Sequence, residues 1–290
     1  MRRCMPSPKR ARVNAVPMDA DADLPRENVF GHTQKVRLFR RACAALRGER
    51  ASLRILDVGC GSGRAVTRFL GSGADRVLGI DLFEPNIAYA KRNFERDGLR
   101  FECRSAASLA DTAESFDVIV LADILEHLSE PLPVLRECRR LLAAGGLLLV
   151  TVPNGRGPYE LESALARARG LGPLLLKGTD HLVALLNKFG PLKGKWSEEL
   201  EDTPADLPYN SESGHVQFFR QRGLRALLAA AGFRVLESQS LSLLSGPFTN
   251  YLLGASRAFC SWNVRAAQGL PQGWASAWFL RCVPADTDAA

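Results

Sequence analysis

Three glycines at alternate positions, Gly59, Gly61 and Gly63, follow an apolar run that carries an acid near its end, Leu53-Arg54-Ile55-Leu56-Asp57-Val58. Glycine has no Cβ, so such a turn can take positive φ and let a ligand lie against bare backbone. Opening into a helix predicted over 64–71, it would also offer free N–H groups to an anionic or polar ligand. A dinucleotide fingerprint wants its third glycine one place later, and that place holds Arg64. A second apolar run, Arg76-Val77-Leu78-Gly79-Ile80-Asp81, again ends in an acid. A carboxylate at that point can accept two hydrogen bonds from a ribose diol. Glu126 and His127 stand just past a further apolar run, 116–121. A histidine with a pKa of about 6.5 can take a proton at neutral pH, and His215, Tyr159 and His181 are further candidates for that work.

These groups need a scaffold. From Leu53 to Val152 strand-like and helix-like segments alternate, the pattern of βαβ units and a mainly parallel sheet. Strands are predicted near 53–58, 76–81, 99–104, 116–121 and 146–152, and helices near 64–71, 84–97 and 132–143. Ahead of them, 34–47 reads as an amphipathic helix with Val36, Phe39, Cys43 and Leu46 at helical spacing. After Asn154 the alternation stops. The 155–212 stretch, with helices predicted at 159–169 and 181–189 and an acidic linker at 198–206, is too long for an ordinary connection and reads as a lid or substrate-binding insertion. A helix at 218–231 and a strand near 234–240 resume the sheet, a second apolar excursion covers 241–270, and a last strand is expected at 275–283.

The order of these stations resembles the class I S-adenosylmethionine-dependent methyltransferases, over roughly residues 30–155 and 213–240. The glycine turn after Asp57-Val58 is similar to that family's first motif. Ala122-Asp123-Ile124-Leu125-Glu126-His127-Leu128 resembles its segment after the fourth strand, and Gly145-Gly146 before 147–154 its turn into the fifth. His215-Val216-Gln217-Phe218-Phe219 and Gly232-Phe233 resemble the region before the sixth strand. The resemblance implies a doubly wound α/β Rossmann-like sheet of seven strands, mostly parallel with an antiparallel last strand, carrying lid insertions. It implies S-adenosylmethionine as cofactor, with Gly59, Cys60, Gly61 and Gly63 at the methionine end and Asp57 either bracing the loop or meeting the ammonium. Asp81 falls to the ribose, Leu82 to the adenine face, and Ser105, Ala106 and Ala122 to the remaining contacts. Ser105 departs from the pattern, because many relatives carry an aspartate there and a neutral hydroxyl accepts a weaker bond. His127, Glu126 and His215 are the candidate catalytic residues.

Composition narrows the partners. The 290 residues carry a formal charge of +7, but Arg2, Arg3, Lys9, Arg10 and Arg12 put five of those charges within the first dozen residues, at the start of a leader read over 1–24. The remainder is too evenly charged for a nucleic-acid groove. That leader has no apolar h-region and several acids, so it reads as neither a signal nor a transit peptide. Seven scattered cysteines without a Cys-x-x-Cys pair, and four histidines, show no ligand-spaced cluster, so no metal and a reduced, cytoplasmic protein are expected. The organisation expected is a core over 25–154, the insertion at 155–212, and the rest of the sheet over 213–290. The function expected is methyl transfer to a small-molecule or lipid-like acceptor, most simply at oxygen, with peripheral membrane contact and a homodimer as further expectations. The rival readings are a non-catalytic S-adenosylmethionine-binding module and a nicotinamide-dependent oxidoreductase.

Overall fold

A computed structural model describes residues 24–48, 50–111, 114–168, 178, 207–208 and 214–285. The leader apart from its last residue, the helix predicted at 181–189 and the linker at 198–206 lie outside the described residues. Helix α1 (His32–Arg47) precedes β1 (Arg54–Val58), β2 (Arg76–Asp81), α2 (Glu84–Phe94), β3 (Leu99–Cys103) and β4 (Phe116–Ala122). Then come α3 (Pro131–Leu141), β5 (Leu142–Pro153), α4 (Pro158–Arg167), α5 (Gln221–Ala230), β6 (Phe233–Ser242), α6 (Pro247–Leu253), α7 (Arg257–Gly269) and β7 (Ala277–Pro284).

The seven strands form one sheet in the order β3-β2-β1-β4-β5-β7-β6. β1 to β5 pair in parallel, and β7 inserts antiparallel between β5 and β6. Period-2 alternation divides the strands between two cores. Leu56, Val58, Ile119, Leu121, Leu148 and Val150 face one layer with Val134, Leu135, Leu224 and Leu228 of α3 and α5. Ile55, Val118, Val120 and Leu149 face the other, with Phe39 and Cys43 of α1 and Ile87 and Ala90 of α2. Phe39 stacks at 5.8 Å on Phe279 of β7, tying the first helix to the last strand. Truncating so enclosed a ring costs about 3–5 kcal/mol, so Phe39→Ala would loosen α1 first.

The end of the sheet away from the glycine turn is clamped by charge. Asp75 is paired with Arg47 and also accepts from the amides of Leu53 (2.9 Å) and Ser72 (2.9 Å). Asp117 is paired with Arg50 and accepts from the amide of Arg54 (2.7 Å), while Arg50 also reaches the carbonyl of Ala144 (2.6 Å).

Among the described residues one predicted element is absent. Instead of a helix over 64–71 there is a single 3-10 turn, Thr67–Phe69. The hydroxyl of Thr67 donates to Asp57 Oδ2 (2.7 Å), and the amide of Arg68 reaches back to the carbonyl of Gly63 (3.1 Å). Two adjacent β-branched residues, Val66 and Thr67, and a side-chain tie to the strand below thus replace the helical ladder.

Candidate functional site

The glycine turn works by shape more than by free donors. The amides of Gly59 and Cys60 both donate to the carbonyl of Ile80 (2.8 and 2.9 Å), that of Gly61 to Asp81 Oδ2 (2.8 Å), and that of Gly63 to the carbonyl of Cys60 (3.0 Å). With no helix opening at the turn, the expected row of orphan N–H groups is not formed. What the glycines provide is close approach. All three have positive φ, at 75°, 55° and 70°. A Cβ on Gly59 would strike Ile124 (2.6 Å), one on Gly63 would strike Phe101 (2.7 Å), and one on Gly61 would meet only Asn86 at 3.9 Å. Gly61 is therefore the place where bare backbone faces open space.

Both acids beneath the turn are where the strands leave them. Asp81, at the end of β2, is pinned by two amides, Gly61 to Oδ2 and Phe83 to Oδ1 (2.8 Å each), leaving each oxygen a second lone pair. Asp57 is 1% exposed, and its Oδ1 is buried with no partner. Burial, reinforced by Asp81, pushes its pKa up to about 7 despite the Thr67 bond. Leu82 is 73% exposed. Ser105 uses its hydroxyl to accept from the amide of Ala107 (3.1 Å), capping the turn Ala106–Asp111, and Ala122 ends β4, half-buried. Cys60 directs its thiol to the carbonyl of Gly61 (3.5 Å), and burial raises its pKa far above the usual thiol value, so it packs rather than reacts.

The turn after β4 lies against the glycine turn through Ile124 and opens a cleft of about 190 Å³. Lys35, Asp123, Glu126, His127, Tyr159 and His215 are among its lining residues. The carbonyl of Glu126 accepts from the amides of Val216 (2.8 Å) and Gln217 (3.0 Å), which draws the 214–219 stretch alongside and sets His215 edge-on to His127 at 5.1 Å. His215 Nδ1 meets Glu160 Oε1 at 2.8 Å, and Tyr159 stacks on the same ring at 5.7 Å. His127 Nδ1 meets the carbonyl of Gly214 (3.1 Å); a carbonyl only accepts, so Nδ1 carries the proton. The Glu126 side chain is 1% exposed with Oε2 unpartnered, and burial, reinforced by Asp123, raises its pKa to about 8.

All three expected catalytic residues therefore meet in one cleft. Glu126, His127 and His215 place ligand atoms within 4.8 Å of one another, a donor set that could share a cation, assembled from positions no linear spacing reveals. His181 lies outside the described residues.

Sequence reasoning missed Lys35, Asp123, Glu160 and His32. Lys35, on α1, is 4% exposed and paired with Asp123. Asp123 also accepts from Thr151 Oγ1 (2.8 Å) and has φ 55°, alone among described non-glycine residues in taking positive φ. Burial would raise its pKa, but Lys35 and Thr151 hold it below the usual carboxylate range. His32 lines the cleft, and burial together with Lys35 lowers its pKa to about 4, so it is neutral. The one signal available was Lys35 itself, a cation four residues before Phe39 on an otherwise apolar helix face.

Comparison with known proteins bears on the family and the fold. Residues 30–238 match the methyltransferase-domain family. The ubiquinone biosynthesis O-methyltransferase of Cereibacter sphaeroides (strain ATCC 17025) is 34% identical over 182 residues, covering 56% of this chain and 73% of the relative. Among solved structures, PKMT2 from Rickettsia typhi aligns with a TM-score of 0.53 at 16% identity, over 89% of this chain and 54% of that one. An S-adenosylmethionine-dependent methyltransferase from Clostridium acetobutylicum aligns at 0.50 and 12% identity, over 90% and 92%. At such identities the structural likeness establishes the fold. The unpartnered Asp57 oxygen and the glycine cradle at Gly61 suit a cationic ligand seated against bare backbone, and with the family match over most of the chain, the protein belongs to the methyltransferase-domain family and is an S-adenosylmethionine-dependent methyltransferase.

Proposed function

We propose that the protein methylates a hydroxyl oxygen on a small, ring-sized acceptor that can carry a lipid-like tail. The observation that carries the reading is the Glu160–His215–His127 cluster, set in a cleft one residue from the Ile124 that touches the glycine turn. A cavity of about 150 Å³ accommodates benzene, so about 190 Å³ suits a substituted ring. The relatives' printed name, ubiquinone biosynthesis O-methyltransferase, supports oxygen as the acceptor atom.

Asp57, Gly59, Cys60, Gly61 and Gly63 would hold the methionine end of the cofactor, Asp81 the ribose, and Leu82, Ser105, Ala106 and Ala122 the adenine side. When bound, S-adenosylmethionine supplies a methyl carbon already activated by its sulfonium. The protein's own work is then alignment, exclusion of water and removal of one proton. Alignment can contribute roughly 7–11 kcal/mol. Glu160 at Nδ1 orients His215, a residue of the cleft lining, and leaves Nε2 as its basic nitrogen. His127 lies edge-on to that ring and Glu126 behind it, the second candidates for holding the proton.

Apolar side chains exposed on α4, α6 and α7, among them Leu161, Leu165, Tyr251, Leu253 and Trp262, support a lipid-like tail and a peripheral membrane contact. The same surface is available to a second copy of the chain. Among the described residues no helix is long and apolar enough to cross a membrane. A cytoplasmic location, the domain limits at 24, 154 and 212, and the assignment of 155–212 and 241–270 to the acceptor side belong to the same reading. The test is transfer of tritium from methyl-labelled S-adenosylmethionine into an extract, partitioned between organic and aqueous phases, with Asp81→Ala as control. Asp81-dependent label in the organic phase, on oxygen, is expected; label only on nitrogen or carbon would overturn the choice of acceptor atom.

A further inference from the structure

Lys35 spends burial where α1 has no need of it. The helix already presents Val36, Leu38, Phe39, Ala42, Cys43 and Leu46 to the core, and Arg47 and Arg50 anchor its far end. An aliphatic residue would finish that face without the desolvation that an ammonium brings. The partner is set apart too, since Asp123 has left-handed backbone, uncommon outside glycine although Asp tolerates it better than most residues. Thr151 of β5 holds it from both sides, its hydroxyl donating to Oδ1 (2.8 Å) and its carbonyl accepting from the Asp123 amide (3.0 Å). Burial of the cation and left-handed backbone at its partner thus meet at one ion pair, and that pair lines the acceptor cleft.

The position of the ammonium is informative. Its charge acts on Asp57 beneath the glycine turn, on Glu126 inside the cleft and on His32 at the mouth of α1. It therefore lies within electrostatic reach of both the acid beneath the glycine turn and the acid in the cleft. The nearby groups are two acids with raised pKa, one neutral histidine and its own partner Asp123. An ammonium has three N–H donors and Asp123 Oδ2 takes one.

We propose that Lys35 is a catalytic residue that donates a hydrogen bond to the acceptor oxygen, and that Asp123, aimed by Thr151, is its positioning residue. The inference rests on the reading of the protein as an oxygen methyltransferase. The acceptor hydroxyl gives its proton to His215 Nε2, its oxygen forms the new bond to the methyl carbon, and the carbon–sulfur bond breaks with its electron pair on sulfur. A cation beside that oxygen stabilises the negative charge that develops once the proton has left. Lys35 itself keeps its protons throughout.

The test uses 4-nitrophenol, a ring-sized hydroxyl compound whose anion is coloured, with the full chain saturated with S-adenosylhomocysteine. At a pH below the phenol's own pKa, wild type is expected to shift bound probe toward the coloured anion. Lys35→Met keeps an unbranched side chain of similar length; it should bind S-adenosylhomocysteine as wild type does and lose the shift, while Lys35→Arg should retain part of it. With methyl-labelled cofactor, Lys35→Met should lower kcat on hydroxyl acceptors about 100-fold. An equal shift in Lys35→Met, no shift in wild type, or unchanged turnover in the mutant would overturn the inference. Loss of S-adenosylhomocysteine binding in both Lys35 variants would mean that Lys35 serves the fold, which also overturns it. Failure of wild type to methylate any oxygen acceptor would instead overturn the underlying reading.

Discussion

The two ends of the sheet treat buried acids in opposite ways. At the end away from the glycine turn, Asp75 and Asp117 are each paired with an arginine and accept from backbone amides as well. At the other end, Asp57 and Glu126 are as deeply buried and each keeps an oxygen with no partner. Burial raises Asp57 to about 7 and Glu126 to about 8. Burial alone would raise Asp75 too, but Arg47 and the Ser72 and Leu53 amides carry it below its ordinary value. A buried acid that is fully satisfied holds the fold; one left half-satisfied is poised for a ligand or a proton. The sheet is thus fastened at one end and kept unsettled at the other.

The sharpest way to press this contrast is at the cleft. His215→Ala should reduce kcat by about 10²–10⁴-fold, the range for a lost general base, with S-adenosylhomocysteine affinity unchanged by calorimetry; equal turnover would return His215 to a packing role. Asp75→Ala should do the reverse. Breaking a buried pair costs about 3–5 kcal/mol, so urea unfolding should show a large loss of stability, while the folded fraction retains its cofactor affinity. If Asp75→Ala changed affinity more than stability, the division between the two ends would fail.

Asp81→Ala should weaken cofactor binding by about 1.5–3 kcal/mol, the scale for hydrogen bonds to a charged group. Calorimetry reads this directly, and an unchanged affinity would remove Asp81 from the site. The smallest effect concerns pH, and its sign differs between the ends. Asp57 and Glu126 have folded pKa values above their ordinary 3.8 and 4.5. The folded state therefore holds more protons than the unfolded one, and their contribution to stability falls as pH rises from about 4 to about 8. Asp75 is shifted down, so its contribution is present above 3.8 and is lost as pH falls through its lowered value. Asp57→Asn should flatten the decline in Tm between pH 5 and pH 8, and remove any rise in cofactor affinity with pH across about 7. A Tm profile identical to wild type would mean that Asp57 is not buried as a half-paired acid.

Much of this was legible along the chain. Strand starts and ends near β1 to β4 follow from apolar runs closed by acids and glycines, and β2 was predicted at its observed limits, 76–81. The glycine turn was recognisable because no other residue suits positive φ at Gly59 and Gly63 against Ile124 and Phe101. The expected helix after it does not form, because helical propensity over 64–71 loses to one hydroxyl, Thr67, bonding to Asp57, a buried acid on the strand before the turn. His127 and His215 were each visible as candidates, but their meeting was not, since it depends on two amides of the 214–219 stretch closing on one carbonyl.

Residue types and local spacing, then, determined the alternating strands, the turn with its flanking acids, and the family to which those stations belong. They do so because backbone sterics and period-2 burial are local properties that each segment carries with it. Only the tertiary structure decided which acids would be satisfied and which left half-paired, that Lys35 would turn inward to Asp123, and that Glu160 would stand behind His215. Those outcomes depend on desolvation and on partners 28 to 88 positions apart, as in Asp123 with Thr151 and with Lys35. Burial and distant pairing are set by the packed molecule as a whole, and no single stretch of chain encodes them.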